Sequence, residues 1–63
     1  MRKINRNEAF MQASEAALNG DISRANHILK IIDRSIANDR RNHTYSEEII
    51  LTREEKKYFH FDD

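Results

Sequence analysis

Residues 9–36 carry apolar side chains three and four apart, and the pattern breaks only at Asn19-Gly20-Asp21. Ala9, Phe10, Ala13, Ala16 and Ala17 make one stripe. Ile22, Ala25, Ile28, Leu29, Ile32 and Ile36 make the other. This is the spacing of two amphipathic helices. Gly20, the only glycine, sits at the break. Glycine accepts the left-handed backbone that ends a helix, and an aspartate after it caps the next one. A corner of one or two residues forces the two helices antiparallel. No proline interrupts either of them.

The first helix is predicted to start at Asn5 or Asn7, with Asn5 and Glu8 at capping-box spacing, and to end at Asn19-Gly20. The second is predicted from about Asp21 to about Arg41, where Arg40 and Arg41 suit the negative end of the helix dipole. Four of the five residues of the first stripe are alanines, so the helices can approach closely. The expected core sets Leu29 and Ile32 against Phe10, Ala13 and Ala17.

Residues 42–63 allow two readings. Thr44-Tyr45-Ser46-Glu47 and Thr52-Arg53-Glu54-Glu55 both have capping-box form. The second is the better helix start and would open a short helix from Arg53 to Phe59. The competing reading is a β-hairpin, in which Glu47 and Glu48 lie opposite Lys56 and Lys57. The short helix is favoured. The expected fold is therefore all-α: an antiparallel helical hairpin over about 5–41 with a short C-terminal helix or β-hairpin extension over 42–63.

A chain of 63 residues is one small domain, and at that size the core is marginal without disulfides, metals or oligomerisation. There is no cysteine, which excludes disulfides and thiolate metal sites. His27, His43 and His60 do not have the spacing of a ligand set, so no metal or other cofactor is expected. Oligomerisation remains. Met11, Leu18 and Ile31 lie off the two main stripes, and a lone hairpin has no inner place for them. They are the expected dimer interface of a four-helix bundle.

Residues 9–36 resemble a single tetratricopeptide-type repeat. The resemblance rests on Ala13, the Gly20-Asp21-Ile22 corner, Ala25, Leu29 and Ile32. The chain departs from the family pattern where Ile22 and Leu29 replace aromatics, Ile32 replaces alanine, and Gln12 replaces a large apolar residue. The resemblance implies a protein-binding hairpin and supplies no binding residues.

Function is constrained mainly by exclusion. No phosphate-binding glycine loop and no nucleophile with an adjacent base is present, and so short a chain cannot easily enclose a water-excluding pocket. An enzyme is not expected. No apolar stretch approaches the length of a membrane span, and no apolar signal core follows Met1–Arg6, so a soluble cytoplasmic protein is expected. Eleven basic and eleven acidic residues cancel, but residues 1–43 lean basic and 44–63 acidic.

The leading expectation is a non-enzymatic adaptor or inhibitor that binds another protein as a homodimer. Compact frames of this kind are common in phages and mobile elements, where they modulate host machinery. The expected partner contacts are Tyr58, Phe59 and Phe61 of the aromatic tail, with Arg34 and Arg41, because aromatics and arginine dominate binding hot spots. The bland alternative for the tail is a lid folded back on the core. The alternative function is a nucleic-acid-binding regulator that meets phosphates with Arg24, Lys30, Arg34 and Arg41 on the polar face of the second helix.

Overall fold

The corner at Gly20 forms as its residues dictate. In the computed structural model, which describes residues 2–61, the first helix, α1, spans Arg6–Leu18 and the second, α2, spans Ile22–Arg41. Gly20 takes φ +82°, its N–H bonds Ala17 O, and the Asp21 N–H bonds Ala16 O. These are the two bonds of a Schellman turn, which satisfies the last carbonyls of α1. The Asp21 carboxylate then accepts from the Arg24 N–H and caps α2. The same turn closes α2, with His43 at φ 54° in the left-handed position and Thr44 N–H on Asp39 O. Asn5 caps α1 through the Asn7 N–H.

The all-α expectation is overturned by a two-stranded antiparallel sheet. Strand β1, Arg2–Asn5, runs directly into α1 and pairs with β2, Glu48–Leu51, in the register Arg2↔Leu51 to Asn5↔Glu48. The partner of β2 is thus the start of the chain, not residues 56–61. The short C-terminal helix is a single 3-10 turn over Glu55–Tyr58. Its start is the capping box at Thr52: Thr52 N–H donates to Glu55 Oε1 and Glu55 N–H to Thr52 Oγ1.

The sheet and the C-terminal turn cover one side of the hairpin. Ile4, Ile49 and Leu51 face inward from the sheet, Ile28, Ile31 and Ile32 from α2, Ala9 and Ala13 from α1, and Phe59 closes the cluster. This covering turns each helix relative to the expected register. On α1 the buried positions are Ala9, Gln12, Ala13 and Ala16, while Phe10 is 45% exposed. On α2 they are Ala25, Ile28, Ile31 and Ile32, while Leu29 is 41% exposed. Ile32 is inside as expected; Leu29, Phe10 and Ala17 are not.

The same packing gives no support to a dimeric bundle paired through Ile31. Ile31 lies in the core of its own chain, covered by the sheet and tail side, and is not available to a second copy. Of the apolar side chains that suggested pairing, Ile31 is absorbed into the core, while Met11 and Leu18 stay exposed. Leu29→Ala is accordingly expected to cost about 1 kcal/mol or less, well under the roughly 2–5 kcal/mol of a buried aliphatic. A thermal melt checks this, and a loss of more than about 2 kcal/mol would restore the expected register.

Candidate partner-binding surfaces

The aromatic tail is held from several directions. Phe59 is 5% exposed and belongs to the core. Tyr58 stacks on His27 with ring centroids 4.4 Å apart and planes 14° from parallel. His27 is fixed in turn by Nδ1, which donates to Ser23 O at 2.7 Å. The Arg2 guanidinium lies 4.1 Å over the Phe61 ring, within cation–π range. Tyr58 and Phe61 are half-buried against the core. Phe59 is therefore not free to enter a partner's groove, and the lid reading describes the tail. Asp62 and Asp63, whose hydration argued for a docking peptide, lie outside the described residues.

Two polar side chains latch the tail's backbone. Arg24 Nε donates to Tyr58 O at 2.7 Å. The Gln12 amide pairs with His60 as a strand would: Nε2 donates to His60 O at 2.7 Å, and Oε1 accepts from His60 N–H at 2.8 Å. Oε1 also accepts from Arg24 Nη2, and Nε2 also donates to Glu8 Oε1. All four hydrogen-bonding positions of the amide are thus used. Gln12 is the buried polar residue, 6% exposed, in a stripe otherwise made of alanines. A glutamine interrupting an apolar stripe was the sequence signal for this latch.

Gln12→Leu keeps most of the volume but leaves the His60 amide and carbonyl without their partner. The expected cost is about 1–3 kcal/mol. Hydrogen exchange should accelerate at the His60 amide more than in the middle of α2. Uniform acceleration across the chain would show that the latch is not local.

The basic row of α2 is divided by these contacts. Arg24 belongs to the latch. Arg34 Nη2 lies 3.1 Å from Glu55 Oε1 and 3.5 Å from Ile50 O. Lys30 and Arg41 are exposed. Among the described residues no three His, Asp or Glu side chains converge on a point that would hold a metal ion, and no helix is long and apolar enough to cross a membrane.

Two surfaces remain open. The hairpin exposes Phe10, Met11 and Leu18 of α1, with Met11 65% and Leu18 88% exposed. Beside them α2 exposes Ile22 and Leu29, which are seven residues apart and so share a face. At 100° per residue, Phe10, Met11 and Leu18 point away from the buried Ala9, Gln12 and Ala16. The second surface is a cleft of about 610 Å³ between the C-terminal half of α2 and β2, and Lys3, Arg34 and Arg41 are among its walls. No family model, curated protein or solved structure matches the chain.

Proposed function

We propose that this chain is a non-enzymatic binding module, an adaptor or inhibitor, which takes an apolar helix of a partner protein on the open side of its helical hairpin. The observation that carries the reading is that the two helices of the hairpin leave Phe10, Met11, Leu18, Ile22 and Leu29 exposed. Large apolar side chains grouped on one face mark interaction surfaces. Two antiparallel helices present ridges and grooves that a third amphipathic helix fits. Ser14 and Ala17, small and exposed, lie between Phe10 and Leu18 and would let that helix approach closely.

Relative to the sequence expectation, the working surface moves from the tail to the hairpin. The nucleic-acid alternative now has two of its four cations, Arg24 and Arg34, engaged in internal contacts. Affinity capture from the native host tests the proposal, using the parent and the double variant Met11→Glu, Leu18→Glu. Both positions are exposed, so the variant is expected to keep its circular dichroism and melting temperature. The parent should retain a protein partner that the variant loses. Equal capture by both would remove the apolar face from the function. A salt-sensitive gain of duplex DNA or RNA instead would favour the alternative.

A further inference from the structure

The second open surface has a chemistry of its own. Arg6 N–H bonds Glu47 O at 2.7 Å, which places the ladder bonds on the pairs flanking Asn5↔Glu48. Bonded and non-bonded pairs alternate along an antiparallel ladder. Lys3↔Ile50 is therefore also a non-bonded pair, and the N–H and C=O of Glu48 and Ile50 point away from β1 toward the open edge of β2. The side-chain contacts agree with this. Ser46 Oγ serves both main-chain groups of Glu48, and Arg34 reaches the carbonyl of Ile50. An exposed edge invites a further strand unless side chains protect it. Here Ser46 protects one end. At Ile50 the cover among the described residues is an Arg34 contact of 3.5 Å, which is long for a hydrogen bond.

This edge lines the 610 Å³ cleft, whose opposite wall is α2. Lys3 and Arg41 bring two cations to it, and a third, Arg34, is paired with Glu55 at 3.1 Å. Of the two lining acids, Asp39 is paired with Arg6 at 2.6 Å and Glu48 lies at the Ser46 end. No aromatic ring lines the cleft to stack on a base. We infer that the cleft receives an extended acidic peptide segment, which adds as a third strand to β2 at Ile50 while its carboxylates meet Lys3 and Arg41. The peptide exchanges two main-chain hydrogen bonds with Ile50, and Arg34 gives up its long contact with the Ile50 carbonyl and keeps its pair with Glu55. Strand addition supplies affinity through the main chain, and the cations select acidic side chains. This site is separate from the apolar face of the hairpin.

The test uses the full chain and a fluorescein-labelled peptide of alternating valine and glutamate, read by fluorescence anisotropy and by the amide resonance of Ile50. Binding with a shift of that resonance is expected. Arg41→Glu combined with Lys3→Glu, both at exposed positions, should weaken it at least about tenfold. N-methylation along one edge of the peptide backbone should weaken it similarly, because it removes strand pairing and leaves the charge. Leu18→Glu should leave it unchanged, which separates this site from the hairpin surface. The inference fails if the anisotropy does not change at millimolar peptide. It also fails if a lysine-for-glutamate peptide binds equally, or if the Ile50 resonance stays in place. Tighter binding of oligothymidylate, lost in the same double variant, would make the cleft a phosphate site and overturn the peptide.

Discussion

Phe59→Ala is expected to leave the chain unfolded at room temperature. Phe59 is 5% exposed and packs with Ile4, Ile28, Ile31, Ile32, Ile49 and Leu51 in one cluster. Truncating a buried phenylalanine costs about 3–5 kcal/mol through lost transfer energy and the cavity left behind. A core of this size holds about 3–5 kcal/mol in total. Loss of the Phe59 side chain also loosens Tyr58 and Phe61 on either side, and with them the stack on His27. Circular dichroism at 222 nm and a thermal melt check the result. A variant that melts within a few degrees of the parent would show that the tail decorates the fold and does not build it. Phe59→Leu, which keeps most of the apolar volume, should remain folded.

The hairpin was legible because its signals are local. Asn19-Gly20-Asp21 specifies the corner by backbone chemistry, and the stripe of α2, Ile22 to Ile36, repeats over about four turns. The sheet was not legible for the opposite reason. β1 has four residues with one buried side chain, Ile4, among charged neighbours, and its partner lies more than forty residues away. No periodicity can be read from four residues. The missed strand carried the other errors with it. Once β1 and β2 cover the Gln12 and Ile31 side, the hairpin's inward faces turn, so Ile31 enters the core while Phe10 and Leu29 come to the surface. The candidate surface followed the same logic. Met11 and Leu18 were visible as apolar residues without an inner place, and they remain uncovered. The cleft beside β2 was invisible to the sequence because the strand that defines its edge was not foreseen.

Asp39→Ala is expected to destabilise the protein by about 1.5–3 kcal/mol, the cost of losing hydrogen bonds to a charged group in a half-buried ion pair. Arg6 and Asp39 meet at 2.6 Å with side chains 14% and 18% exposed, so water screens the pair little. The carboxylate also accepts from the Ser46 N–H, and the Arg6 N–H binds Glu47 O. Asp39 thereby fixes the start of α1 against the end of α2 and aims the 42–47 segment into β2. Without it the Arg6 guanidinium keeps its burial and loses its countercharge, and its Nε already lacks a hydrogen-bond partner. Asp39→Asn retains an acceptor and should cost less than the alanine. Arg6→Met combined with Asp39→Leu removes both charges and should recover most of the loss, because two apolar groups leave no buried charge uncompensated. Urea midpoints for the parent, Arg6→Met, Asp39→Leu and the double variant measure the cycle, with Asp39→Ala and Asp39→Asn beside them. Exchange at the β1 and β2 amides should quicken in Asp39→Ala before it quickens in α2. If Asp39→Ala unfolds within about 0.5 kcal/mol of the parent, the pair behaves as a solvent-exposed one, and the sheet is anchored by its apolar face alone.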